Sequence, residues 1–313
     1  MQIAQIAVTM GDPSGIGPEI ILRAISKLRN PGECSIFGSR MILEKTARDL
    51  RLVSNYRSIE PYIVDVIGRV NFEYGRSTKR TARAAMLSIE AALGSGSDII
   101  ITAPIVKATI RMIVPGFIGH TEYLANHFGV RDHAMTGIWR DKRIMLFTAH
   151  MPLRRVFKKI SAGRIAERIR FFRDGLVRYF GVDDPEIGVS AINPHSFEFS
   201  VGEDEEIRAG IKAAARRRIR VSGPYPGDTL FGRKFDGFIA MYHDQAMVYL
   251  KSKRDGLNFT LGLPVVRLSP LCGVASDIAG KGCADASGFV AAFSAGKKIY
   301  SNMKRYQQRM TNG

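Results

Sequence analysis

Three short apolar runs constrain the fold of this chain more than any other feature: "RIMLFTAH" ending at His150, "EIGVSAINPH" ending at His195 and "GFIAMYHDQ" passing through His243. Each lasts five to seven residues, is rich in Ile, Val, Phe and Met, and lacks the polar alternation of a half-exposed strand. That is how a strand buried on both faces of a parallel sheet reads. The three histidines are spaced by 45 and 48 residues, room each time for a crossover helix. Parallel strands joined in this way all point in one direction, so the residues after their C-terminal ends gather on one edge, where open α/β sheets place ligands. A single histidine at a strand end is ordinarily a loop residue satisfied by its neighbours. Three of the six histidines in the same position point instead to a metal centre of neutral imidazoles, suited to zinc, cobalt or another divalent ion.

The rest of the chain continues the alternation. "QIAQIAVTM" is a strand that enters a Gly/Pro loop and then the helix "PEIILRAISKL", with Pro18 expected at the first helical position and Glu19 favouring its N-terminus. "CSIFGS" and "DIIITAP" are further buried strands, and "RMILEKTARDL" and "TKRTARAAMLSIEAALGSG" are helices, the second with a glycine stop. Residues 51–75 read as an irregular excursion. In "SAGRIAERIRFFRDGLVRYF" the residues Ile165, Ile169, Phe172 and Leu176 form an apolar stripe with arginines opposite, the pattern of a helix on the outside of a sheet. The expected fold class is therefore α/β with a mostly parallel sheet.

Composition excludes some alternatives. With 313 residues, 45% of them hydrophobic, the chain can bury a large core. Its three cysteines, Cys34, Cys272 and Cys283, have no CxxC spacing and imply neither a disulfide framework nor a zinc knuckle. The start "MQIAQIAVTMGDPSG" lacks a basic region followed by an apolar one, no apolar stretch is long enough to span a bilayer, and the expectation is a soluble cytoplasmic protein. The net charge of +17 would suit a nucleic-acid binder. However, the basic clusters at 140–143, 154–159, 215–220 and 297–309 are read as mostly helical and solvated, and no aromatic-interleaved RNA motif accompanies them. The positive field favours instead a small anionic, phosphorylated substrate.

The motifs gain specificity when taken together. "MGDPSGIGPEI" puts Gly11, Gly15 and Gly17 in a strand-to-helix turn, a weak anion-binding signal on its own. Combined in order with "ITAPIVK", "GHTEYLAN", "FTAH", "INPH", "GPYPGDTLF", "AMYHDQ", "NFTLGLPVVR" and "DIAGKGCAD", it resembles the 4-hydroxythreonine-4-phosphate dehydrogenase family, the pyridoxal-phosphate biosynthesis enzymes and their relatives, over nearly the whole chain. "GIGPE" and "ASDIAGKGCAD" are also similar to stretches of isocitrate and isopropylmalate dehydrogenases.

The resemblance implies a single dehydrogenase domain spanning 1–313, made of two interleaved subdomains whose boundaries the sequence does not mark. It also implies a homodimer, with the active site in the cleft between subdomains and completed by the partner subunit. It assigns metal binding to His150, His195 and His243, and substrate binding to His120, Thr121, Lys251, Asn258 and Arg267. Lys251 and, more loosely, Asp244 are its candidates for proton transfer, with Asp244 alternatively orienting the neighbouring histidine. Gly273 and Asp277 are placed at the cofactor edge.

The implied reaction is oxidation by NAD or NADP of a secondary alcohol β to a carboxylate, followed by decarboxylation. It is assisted by zinc, cobalt or magnesium acting on the alcohol and then on the ketone. The sequence departs from the family pattern after His195, where "SFEFSVGEDEE" is bulkier, and between Lys251 and Asn258, where "SKRDGL" is shorter. It departs again ahead of "DIAG", where Leu271 and Cys272 stand in place of Asp and His. Cys272 is accordingly read either as an altered cofactor contact or as a plain buried residue. Three functions follow: a dehydrogenase of 4-hydroxythreonine 4-phosphate or of threonate or erythronate 4-phosphate, a dehydrogenase of a cyclic dihydrodiol acid, and a paralogue with weakened cofactor binding.

Overall fold

The computed structural model describes residues 4–312, so Gln2 and Ile3 of the first apolar run lie outside the described residues. Two compact units emerge. One comprises the described part of 1–131 with 263–300, the other 132–262 with the described part of 301–313.

In the first unit, β1 (Ile6–Thr9), β2 (Cys34–Gly38), β3 (Ile63–Asp65), β4 (Ile99–Thr102) and β11 (Val266–Pro270) run in the order β3-β2-β1-β4-β11, each pair parallel. β1 and β4 are buried along their whole lengths, in keeping with their uninterrupted apolar sequence. The β1 loop needs Gly11: its φ is +72°, and a Cβ there would collide with the Pro104 carbonyl. Asp12 Oδ1 then accepts hydrogen bonds from Ser14 N (2.9 Å) and Ser14 Oγ (2.6 Å), closing the turn.

The helix after that turn spans Gly17–Ile25, so Pro18 falls second rather than first in it. Glu19 does more than favour the helix start. Buried, its Oε1 accepts from Arg23 Nε at 2.8 Å and from Ala284 N at 3.1 Å. Residues 51–75 are more regular than the sequence implied: they form the helix Val53–Ile59 and the edge strand β3, which is too short and too exposed to carry an apolar signature. Helix Lys79–Gly94 opens on a Thr78/Thr81 capping box and runs out at Ser95 and Gly96, the latter at φ +70°.

The second unit holds β5 (Ala134–Trp139), β6 (Lys142–Leu146), β7 (Ile187–Ser190), β8 (Val221–Tyr225), β9 (Gly237–Ala240) and β10 (Leu257–Leu261) in the order β10-β5-β6-β9-β7-β8. β6, β9, β7 and β8 are parallel, while β5 is antiparallel to both β6 and β10. The strands ahead of the three histidines are four or five residues long, shorter than the apolar runs containing them, because the last residues of each run already turn away from the ladder. The predicted stripe of helix Ala162–Phe180 is buried at Ile165, Ile169, Phe172 and Leu176, and the helix ends on Gly181 at φ +68°.

Two basic clusters are not helical. Residues 140–141 make the turn between β5 and β6 and 142–143 begin β6, while 215–220 leave helix Glu203–Ala215 for the turn before β8. Among the described residues, no helix is long and apolar enough to cross a membrane.

Candidate active site

In the second unit, β6, β9 and β7 are neighbours in the sheet, and a candidate histidine follows each of them. His150 comes four residues after β6, His243 three after β9 and His195 five after β7. His150 and His195 adopt left-handed backbone conformations, with φ of +41° and +54°. Such conformations are uncommon for residues other than glycine and cluster at sites where the surroundings over-determine them.

The loops are tied to one another by groups that the sequence reading passed over. Thr148 Oγ1 donates to Met241 O at 2.6 Å. Gln245 Oε1 accepts from Met241 N at 2.8 Å, and its Nε2 donates to Ala191 O at 2.8 Å, joining the ends of β9 and β7. The fully buried Asp204 accepts from Ile192 N and Asn193 Nδ2, both at 2.9 Å, and so shapes the turn that presents His195. The only signal for Gln245 was its place two residues after His243.

The rings of His150 and His243 lie 5.5 Å apart between centroids, tilted by 40°. His243 Nδ1 is 2.7 Å from Asp244 Oδ1, a contact that orients the ring through Nδ1 and does not involve Nε2. A pocket of about 90 Å³ beside them is lined by Thr148, Ala149, Met151, Tyr242, His243 and Asp244. The His195 ring packs against Phe199, 6.0 Å between centroids. Among the described residues, no group of three His, Cys, Asp or Glu side chains stands close enough to hold a metal ion. The structure therefore brings together two of the three histidines as a ring pair.

Lys251 ends the helix His243–Lys251, whose length of roughly 12 Å separates its backbone from His243. Asn258 sits on β10 opposite Gly137 of β5, and its Oδ1 is buried with no hydrogen-bond partner among the described residues. A buried amide oxygen left in that state calls for a ligand or ordered water.

A second group forms within the first unit. Arg267 on β11 is 2% exposed, and its Nη2 donates to Thr102 Oγ1 at 2.6 Å. Burial lowers its pKa to about 10, against the opposing charge of Glu122. His120 opens helix His120–His127, followed by the buried Thr121. Its Nε2 is buried without a hydrogen-bond partner among the described residues. Burial, reinforced by the charges of Arg267 and Lys107, pushes the His120 pKa well below its ordinary value, so the imidazole is neutral at physiological pH.

The loop after β11 exposes Cys272, Gly273 and Asp277. Exposure of Cys272 removes the buried-residue reading of that position. A Cβ added at Gly273 would meet nothing within 4 Å, so this loop leaves room for a group lying over it.

The chain matches the family of the pyridoxal phosphate biosynthetic protein PdxA over residues 31–295. The chain belongs to the PdxA family. A 4-hydroxythreonine-4-phosphate dehydrogenase from Sulfurihydrogenibium sp. is 35% identical, with 93% of this chain and 96% of that protein covered. The crystal structure of the 4-hydroxythreonine-4-phosphate dehydrogenase from Klebsiella pneumoniae is 28% identical, covering 95% of this chain and 99% of that one with a TM-score of 0.78. A terephthalate 1,2-cis-dihydrodiol dehydrogenase from Burkholderia xenovorans superposes less well, at 25% identity and a TM-score of 0.60 over 95% and 98% of the two chains. The fold alone extends to isocitrate dehydrogenase from Methylococcus capsulatus, at 12% identity and a TM-score of 0.50 over 97% and 89% of the two chains.

Proposed function

We propose that the chain is a metal-dependent, NAD(P)-linked 4-hydroxythreonine-4-phosphate dehydrogenase. It oxidises the alcohol β to the substrate carboxylate and then releases that carboxylate as carbon dioxide. Membership of the PdxA family supports the reaction class. The observation that carries the reading to this chain's own residues is the succession of His150, His243 and His195 after three neighbouring strands, two with their rings in contact.

Neutral imidazoles suit zinc or cobalt. Asp244, holding His243 Nδ1, leaves the other ring nitrogen to coordinate, so the donor chemistry fits a divalent ion. His195 belongs to the same ligand set, and a homodimer completes the coordination that one chain leaves at two facing rings. When bound, such an ion supplies Lewis acidity to the substrate's alcohol oxygen and later to its ketone. The exposed loop at Cys272, Gly273 and Asp277 would hold a nicotinamide cofactor, which when bound would supply the hydride acceptor.

The chain's own residues do the binding and proton handling. Arg267, a planar fork on a rigid strand, holds anionic oxygens of the substrate. Neutral His120 hydrogen-bonds the same end of the molecule, with Thr121 beside it. Asn258 contributes its buried amide, and Lys251 donates or accepts the proton that the chemistry moves. The protein acts in the cytoplasm, on a phosphorylated small molecule.

Turnover decides the substrate. The purified chain is expected to reduce NAD or NADP with 4-hydroxythreonine 4-phosphate, releasing one carbon dioxide per nicotinamide reduced. It should do so with a higher kcat/KM than with threonate 4-phosphate, erythronate 4-phosphate or a cyclic dihydrodiol acid. Preference for one of those acids, or reduction without carbon dioxide, would overturn the reading.

A further inference from the structure

Residues 271–286, between β11 and the helix Ser287–Asn312, carry Cys272, Gly273 and Asp277 and contain neither helix nor strand. A stretch without a ladder keeps a single course where groups outside it bond its backbone. The helix Gly17–Ile25, in the same unit, supplies such bonds at two points. At the first, Ile16, which caps that helix, donates its N–H to Val274 O at 3.1 Å. At the second, Arg23 Nη2 donates to Gly282 O at 2.7 Å, and Glu19 Oε1 accepts from Ala284 N at 3.1 Å. Glu19 and Arg23 stand one helical turn apart, joined by Arg23 Nε donating to the same Oε1 at 2.8 Å. The pair thus holds a carbonyl and an N–H on either side of Cys283. Between the two grips, Ser276, Asp277 and Lys281 face solvent.

Stability alone does not account for Glu19. It is 1% exposed, and its Oε2 is buried with no hydrogen-bond partner among the described residues. A buried carboxylate in that state is costly, and apolar side chains in place of a buried ion pair are often no less stable. What the pair supplies that an apolar contact lacks is direction. Arg23 presents two nitrogens of one planar fork, one to Glu19 and one to the loop, so the loop backbone is set in both place and orientation.

We infer that Glu19 and Arg23 are positioning residues for the nicotinamide cofactor, holding the loop that carries Gly273 and Asp277 in its binding conformation before the cofactor arrives. This rests on the reading of that loop as the cofactor edge. It adds to that reading the device that orders the loop. A loop fixed in advance loses little conformational freedom on binding, so the clamp appears as cofactor affinity rather than as chemistry.

Calorimetric titration of NAD and of NADP into the parent, Arg23→Gln and Arg23→Lys tests the assignment, together with amide exchange followed by peptide mass spectrometry. In Arg23→Gln the Kd for the nicotinamide that the parent binds should rise about tenfold, and peptides within 273–285 should exchange faster even without cofactor. At saturating cofactor, kcat and the KM for the hydroxy acid should stay near the parent's, a split that general destabilisation would not produce. Arg23→Lys keeps a cation beside Glu19 without the planar fork, and should lose affinity in the same direction. Where the glutamine variant does not fold, the lysine variant decides by the same readings. Parental affinity, or parental exchange in 273–285, would overturn the inference. So would a fall in kcat with Kd unchanged. A parent that binds neither NAD nor NADP, or whose exchange in 272–285 is unaltered by the bound nicotinamide, would instead overturn the cofactor reading, and the inference with it, so the two failures are distinguishable.

Discussion

At the scale of single residues, His120 couples the site to stability. Its pKa is depressed below the ordinary 6.5 by burial first and then by the charges of Arg267 and Lys107, so the folded chain holds it neutral while the unfolded chain lets it protonate. Between the two pKa values the unfolded state binds more protons, and stability rises with pH. The His120 contribution is therefore present above pH 6.5 and is lost as pH falls below it toward the folded value. A His120→Asn variant should show a shallower decline in thermal midpoint between about pH 7 and pH 5 than the parent. Parallel pH profiles for the two proteins would show that His120 is not held neutral by the fold. The residue was legible as a candidate from "GHTE", but its neutrality was not, because the charges responsible come from β11 and from the segment after β4, far apart in sequence.

At the scale of elements, the helix His243–Lys251 carries His243 at its first position and is seated by Leu250, two turns later, in the space left by Gly137 of β5. A Cβ at Gly137 would run into Leu250 Cδ1, and Leu250 is fully buried. Gly137→Ala should therefore cost about 1–3 kcal/mol, as overpacking in a close-fitted core does, and lower the urea midpoint without changing the slope. An unchanged midpoint would mean that the helix shifts freely over β5. The stripe of helix Ala162–Phe180 was readable because its 3.6-residue period is local. The edge strand β3 and the helix before it were not, because an exposed three-residue strand carries no periodicity. The tethering of the histidine loops by Gln245 and Asp204 was also hidden, since each side chain bonds backbone that the sequence places elsewhere.

At the scale of the whole molecule, the histidines bear on metal content and assembly together. Among the described residues, one chain brings only His150 and His243 into ring contact, while His195 packs on Phe199, so a dimeric enzyme is the expected particle. Sedimentation should give twice the chain mass, and elemental analysis about one divalent ion per chain in the purified protein. A His150→Ala/His195→Ala double variant should lose that ion. A monomer, or full metal content in the double variant, would refute the shared site.

The sequence by itself determined the alternation of strands and helices, the strand-end placement of the three histidines and membership of the family, because periodicity, turn residues and motif order are properties of neighbouring positions. Only the tertiary structure decided the rest. It set β6, β9 and β7 side by side, faced His150 toward His243 but not His195, placed Lys251 at the far end of the helix from His243, and brought Lys107, Glu122 and Arg267 around His120. Those relations depend on strand order, loop tethers and the burial of charge, which are long-range energies that no local pattern encodes.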